Sequence, residues 1–285
     1  MLAVKNLGVA RIVVRLAALA ALGLAFLCAA GRAQAQADYR NLDPGRPIAV
    51  EDAQPIEYRA FETQNGVPRF SRQRRGQWTL GIDSDFKWGI YKDLQFGYSS
   101  ENLVVAHAAG RTVVTSRDRQ VHLLYNFNQE TRRWPAFAIR PELAIRSGGL
   151  GSRHEHGALK WIVTKTIGAN RLHLNGSWTV GPTETPGRGG ELVNRFFYSA
   201  AYERTLPLKF VVLLADVYAR KPIDHSGTEV VLEVGTRVQL SPTWVVDAGV
   251  STGALRPSAG PDIGFTFGLS HSFSLRWLYP PKGRK

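Results

Sequence analysis

In the stretch GQWTLGIDSDFKW (residues 76–88), Trp78, Leu80, Ile82, Phe86 and Trp88 fall on alternate positions, while Gln77, Thr79, Asp83, Asp85 and Lys87 fill the gaps. Strict alternation is the signature of a β-strand, because successive side chains point to opposite faces. The pattern recurs along the chain. DLQFGYS (93–99), QVHLLYNF (120–127), AFAIRPELAIR (136–146), ALKWIVT (158–164) and RLHLNGSWTV (171–180) carry it. So do RFFYSAAYER (195–204), FVVLLADVYAR (210–220), EVVLEVGTRVQL (229–240), TWVVDAGVS (243–251) and DIGFTFGLSHSF (262–273). A weaker stretch, PIEYRAFET (55–63), precedes them. The total is about twelve strands of roughly ten residues, the length a tilted strand needs to cross a bilayer.

The connections sharpen this. Short ones (GIYK, NQETRR, GAN, LPL, SPT) alternate with long ones at 64–75, 106–118, 147–156, 181–193, 221–228 and 253–261. Short turns on one side and long loops on the other characterise an outer-membrane barrel, and an even strand number leaves both termini on the periplasmic side. A soluble sandwich would turn the apolar face into its core. A membrane barrel inverts the sides, so that Trp78, Ile82 and Phe86 meet lipid while Asp83, Asp85 and Lys87 meet a wet lumen. Trp78, Trp88, Trp134, Trp178 and Trp244 stand near strand ends, which suits interfacial girdles.

The start of the chain is read as a leader. Lys5, Arg11 and Arg15 precede an apolar run at 16–30, and GRAQAQA supplies cleavage sites ending at Ala35 or Ala37, the three regions of a cleaved secretory signal peptide. The only cysteine, Cys28, lies within that run, so the mature chain is expected to carry no disulfide or thiolate metal site. The remaining chain keeps a charge of +9, the total of +13 less the leader's Lys5, Arg11, Arg15 and Arg32. For an exported chain that excess points to anionic lipid surfaces and away from nucleic acid.

The expected architecture is therefore all-β: an antiparallel up-and-down transmembrane β-barrel with short periplasmic turns and longer extracellular loops. Residues 1–37 form the leader, 38–54 a periplasmic segment, 55–273 the barrel and 274–285 a basic tail. The face assignment places Asp83, Asp85, Lys87, Glu101, His122, Arg140, Glu142, Lys160, His173, Arg195, Glu203, Asp216, Glu233, Arg237 and Asp247 along the lumen, together with Glu57 and Arg59. Acids and bases are roughly balanced, which favours cross-lumen pairs over a field of one sign. Across the SPT turn (241–243), Leu240 should face Trp244, and Arg237 should pair with Asp247. Asn126, also on the lumen face, should accept arginine more readily than lipid-facing Leu123 or Val234.

Catalytic and cofactor chemistry is not indicated. HEH (154–156) could hold a metal only if its Gly-rich loop supplied a third ligand, and a solvated loop is the simpler reading. His122 and His173 read as polar lining residues. His271, on the lipid face, has no nucleophile motif beside it. GPTETPGRGG (181–190) does not lead from a strand into a helix and is no phosphate loop. Loop arginines such as Arg69, Arg117 and Arg188 suit lipopolysaccharide phosphates or simple solubilisation equally.

Several of these stretches carry a resemblance: LLYNFNQET from Leu123, PAFAIRPELAIRSGG from Pro135, NRLHLNGSWTVG from Asn170, LLADVYAR from Leu213, QLSPTWVVDAGVSTG from Gln239 and the closing GFTFGLSHSF. The chain resembles the outer-membrane proteins grouped as MetA-pathway phenol-degradation or "transporter" proteins. The resemblance implies a single barrel in the bacterial outer membrane, placed there by the assembly machinery, and passage of small, often aromatic or apolar compounds. It implies no established catalytic residues, so none is carried over, and no cofactor is expected. One departure is that this chain continues past its final strand aromatic, Phe273, where such chains usually end. Three functional classes follow: a narrow passive channel for small, weakly charged or aromatic solutes, a non-transporting structural barrel with a filled lumen, and, third, an outer-membrane hydrolase.

Overall fold

A computed structural model describes residues 37–73, 76–108, 110–147, 149, 154–181, 195–208, 210–223, 227–255, 261–275 and 278. The leader, apart from residue 37, and most of the basic tail lie outside the described residues. The strands are β1 (Phe61–Arg72), β2 (Trp78–Tyr91), β3 (Leu94–Ala108), β4 (Arg111–Thr115), β5 (Arg119–Asn128), β6 (Ala136–Ile145) and β7 (His156–Ile167). They continue with β8 (Asn170–Val180), β9 (Arg195–Thr205), β10 (Val211–Pro222), β11 (Glu229–Ser241), β12 (Trp244–Leu255) and β13 (Ile263–Phe273). All pairings are antiparallel between chain neighbours, except that β3 pairs with β5 and β1 with β13. Twelve strands thus close into a ring, which removes the unpaired edges that no bilayer could satisfy. The extra strand, β4, pairs only with the far part of β3, from Val104 opposite Thr115 to Ala108 opposite Arg111.

The faces follow the alternation. On β5, Leu123, Tyr125 and Phe127 are exposed, while His122, Leu124 and Asn126 are buried. The same outward apolar band continues through Trp161, Leu174, Leu213, Val234 and Phe267. The connections that follow β2, β5, β7, β9 and β11 lie at the terminus end, where β1 begins and β13 ends, and the other connections at the opposite, long-loop end.

The first strand departs from its expected position. It runs over Phe61–Arg72 rather than 55–63, and the expected loop at 64–75 is mostly strand. Charged and polar residues such as Arg69 and Gln64 obscure its alternation because a bulge between Asn65 and Val67 shifts its register against β2. Glu57 and Arg59 consequently lie outside the barrel wall, exposed at the terminus end. β3 and β4 together take up most of the expected 106–118 loop, β3 running to Ala108 and β4 folding back on it as a hairpin.

Stacked aromatic rings cover the seam where the first and last strands meet. At the terminus end, Phe61 stacks on Trp88 at 5.9 Å and on Phe273 at 5.7 Å, and His271 continues the row between Phe273 and Trp244. At the other end Phe70 stacks on both Trp78 and Phe265 at 6.4 Å. Such contacts add roughly 0.5–1.5 kcal/mol per pair beyond area burial, at the pairing the chain must form last in sequence terms.

The depth of the apolar band is testable. Val234→Arg, near the middle of β11, should cost about 2–4 kcal/mol in unfolding free energy, whereas Val180→Arg, at the end of β8, should cost about 0–1 kcal/mol. Urea unfolding in lipid vesicles checks this, and equal costs would contradict the lipid-facing assignment.

Candidate functional site

Of the chain that precedes β1, the described stretch 37–56 lies inside the barrel. Residues 37–56 form a strap through the lumen, where Leu42, Ile48, Val50 and Ala53 are fully buried. This corrects the expectation of a periplasmic segment at 38–54. The physical reason is mutual need: the strap has almost no secondary structure of its own, and the barrel interior is lined with polar groups that lack partners within the wall. Irregular backbone is tolerated at membrane depth only where protein or cavity surrounds it.

Wall side chains satisfy the strap's backbone one group at a time. The Asn175 side chain accepts from the Glu51 N–H at 2.8 Å and donates to the Glu51 carbonyl at 2.9 Å, imitating a strand partner. Ala53 donates to the Thr164 hydroxyl, and its carbonyl accepts from Asn126. Gln95 accepts from the Ile56 N–H, and Gln239 donates to the Ala37 carbonyl. Asn126 is therefore a buried partner of the strap, so the expectation that it accepts arginine readily is withdrawn. Where the strap approaches closest, side chains give way. Gly235 and Gly249 are register partners on β11 and β12, and a methyl group on either would come within 2.6 Å of Pro47.

Three strap carboxylates anchor to wall cations. Asp43 contacts Lys87 and accepts from Gln64 at 2.7 Å. Lys87, 3% exposed, also reaches Glu62 at 3.3 Å and lies 3.9 Å from Asp85. Glu51 bridges Arg140 at 2.6 Å and Lys160 at 2.9 Å. Arg140 also pairs with Glu142 at 3.0 Å and lies 3.3 Å from the His122 ring. Asp52 contacts Arg171 and accepts from Thr164. Around it, His173 lies between Thr164 at 3.0 Å and Glu203 at 3.3 Å, and Glu203 also pairs with Arg40 and Arg171.

The remaining inward residues complete the lining. Asp216 and Glu233 face each other across β10 and β11, and both accept from the single Ala49 N–H, at 3.1 and 2.5 Å. Arg237 stands opposite Asp247 in the register, yet among the described residues the Asp247 carboxylate accepts no hydrogen bond. Arg237 instead donates to the Asn41 carbonyl and approaches Asp43 at 3.9 Å. The register was legible from the turn, and the expected ion pair is replaced by a contact with the strap. Leu240 and Trp244 are not direct partners either, because a bulge sets Ser241 opposite Trp244.

Above the strap, toward the long-loop end, the lumen opens into a cavity of about 350 Å³ floored by Pro44, Gly45 and Ala49. Asp83, paired with Arg69 at 2.6 Å, and Glu101, paired with Arg117 at 3.1 Å, form part of its rim. Arg195, Phe197 and His156 line it as well. His156 is thus a wall residue at the start of β7 and not a member of a loop ligand set. Among the described residues no group of three histidine, cysteine or acidic side chains is arranged to hold a metal.

Sequence reasoning missed Asp43, Glu51 and Asp52. The available signal was compositional: DYRNLDPGRPIAVEDAQP (38–55) sets four acids against two arginines in a chain that is otherwise strongly basic.

The fold and this lining define the class: a transmembrane β-barrel of the outer-membrane type with a charged interior and an internal strap. Among solved structures, the COG4313 outer membrane channel from Pseudomonas putida F1 matches with a TM-score of 0.57 and 11% identity, over 81% of this chain and all of that one. The KdgM porin (TM-score 0.45, 14% identity, 75% of this chain and 99% of that one) and the NanC porin (0.45, 8%, 75% and 100%) match more loosely. No family model and no curated protein sequence matches the chain. The likeness is one of fold.

The strap's anchorage can be tested at its most buried cation. Lys87→Met leaves Asp43 and Glu62 without their shared charge and should cost about 3–5 kcal/mol, read as a lower urea midpoint together with faster proteolysis within residues 37–60. Lys87→Arg should recover part of the loss.

Proposed function

We propose that the protein is a narrow passive channel of the bacterial outer membrane for small, weakly charged or aromatic solutes, with the strap forming its constriction. The observation that carries this reading is how the strap is held. Its contacts with the wall are mainly hydrogen bonds and ion pairs beneath a polar cavity that faces the long-loop end. Polar contacts can be exchanged for water or for a polar solute at modest net cost, since each such bond replaces one with water. Twelve strands enclose far less space than the 16–18 of open porins, so passage past the strap is slow. The outward apolar band calls for a lipid bilayer, the outer-membrane assembly machinery is the route of insertion, and loop arginines such as Arg117 suit lipopolysaccharide phosphates.

A second reading, a non-transporting barrel with a permanently filled lumen, has its own support. Leu42, Ile48 and Val50 of the strap pack with Ala201, Val212 and Leu214 of the wall, and Ala53 packs with Leu124, Ala138 and Ile162. These apolar contacts are not exchanged for water without loss.

Planar-bilayer recording separates the two. The channel reading expects a low conductance of weak ion selectivity from the intact mature chain, and a larger one after deletion of residues 38–54. Conductance that appears only after the deletion would establish the filled barrel, and a large, strongly anion-selective conductance from the intact chain would overturn the balanced-lumen argument.

A further inference from the structure

The geometry points to Arg140 and Lys160 as a binding site for a small aromatic monocarboxylate, a site that Glu51 of the strap occupies in this structure as an internal stand-in. The role of that binding in transport rests on the channel reading above, whereas the binding itself does not.

The argument begins with register. Arg140 and Lys160 are direct partners on β6 and β7, both turned inward, and are 4% and 5% exposed. Like charges directly opposite one another repel, and two cations buried side by side require an anion between them. Glu51 provides it in a two-pronged way, one carboxylate oxygen on each cation: Oε1 accepts from Arg140 Nη1 at 2.6 Å and Oε2 from Lys160 Nζ at 2.9 Å. The site is therefore shaped for a carboxylate, and the wall does not supply that carboxylate on its own strands. Glu142 remains on Arg140 Nε at 3.0 Å, so departure of Glu51 would leave Arg140 partly compensated.

The row continues in the direction a ring would need. Lys160 is the register partner of Ser177, Ser177 of Phe197, and Phe197 of Arg220. The row thus reads cation, cation, hydroxyl, aromatic, cation, across five adjacent strands of the wall. Successive strands stand about 4.8 Å apart, so Phe197 lies two strands from Lys160, the reach of a benzoate-sized molecule with its carboxylate on the cations. Lys160 Nζ already lies 6.0 Å from the Phe197 ring centre. Arg140, Lys160, Ser177 and Phe197 all line the cavity of about 350 Å³ that opens toward the long-loop end. A carboxylate entering there meets the same two cations from the side opposite the strap. It satisfies them when Glu51 swings away, so that binding and loosening of the strap are one exchange.

The test uses the mature full-length protein in detergent micelles, with benzoate as the probe and benzyl alcohol as its uncharged control, binding being read by calorimetry. Heat-modifiable gel migration confirms the folded barrel in each sample. Glu51→Gln removes the internal competitor's charge and should bind benzoate at least about tenfold more tightly than the unaltered protein, because the binding-competent state no longer has to be won from Glu51. Adding Lys160→Gln should abolish that gain, and benzyl alcohol should bind neither variant. In the unaltered protein, saturating benzoate should speed hydrogen exchange at residues 49–53, a readout that decides the matter even if Glu51→Gln fails to fold. Equal benzoate affinity with and without the Glu51 charge, affinity that survives Lys160→Gln, or exchange indifferent to benzoate would overturn the site. Benzoate binding of the expected pattern without any bilayer conductance would uphold the site while removing the channel reading. Conductance without benzoate binding would do the reverse.

Discussion

A charge turned into the interior of a twelve-stranded barrel has little water to solvate it and must be met by another charge or by hydrogen bonds. That requirement organises the molecule. Lys87, Arg140, Lys160, Arg171 and Arg237 all point inward and all are nearly inaccessible. The wall supplies some of their counter-charges, Glu62, Glu142 and Glu203 among them. It leaves the rest to Asp43, Glu51 and Asp52, which arrive on a segment that precedes the first strand. The strap is therefore a component of the electrostatic balance of the lumen, on the same footing as the strands.

The strap's own backbone poses the complementary problem. A segment without regular structure carries a donor and an acceptor at nearly every residue, and each must be met when water is excluded. Asn175, Thr164, Asn126, Gln95 and Gln239 meet them from five different strands. Small residues at Gly235 and Gly249 give the strap room to lie against the wall. Polar lining, which in a wide pore would face water, here faces protein. The outer part of the lumen, above Pro44 and Ala49, is where that polarity is still open to a solute.

Much of the barrel was legible because its period is local. Each outward run, such as Leu123, Tyr125 and Phe127, reads from fewer than ten residues, and the SPT turn sufficed to set Arg237 opposite Asp247. Legibility failed where register was interrupted or where a partner came from far away. The bulge in β1 scrambled its alternation, and the β3–β4 hairpin resembled a polar loop because it projects past the apolar band. Arg237 was assigned its neighbour correctly, but its guanidinium is claimed by the carbonyl of Asn41, nearly two hundred residues upstream. His122 and His173 were legible as polar lining, yet their partners, Arg140 and Glu203, depend on packing around the strap.

What the sequence by itself determined is the alternation of side-chain faces and the alternation of connection lengths, and through them an antiparallel barrel with lipid outside and charge within. Those properties depend on neighbours along one strand or across one turn. What only the tertiary structure decided is the occupant of the lumen. Residues 37–56 carry no period, and Asp43, Glu51 and Asp52 are ordinary surface acids until strands β2, β6, β7 and β8 close around them. The pairing of Glu51 with Arg140 and Lys160 spans about a hundred residues of chain, and no local pattern records a contact whose two halves meet only when the ring is shut.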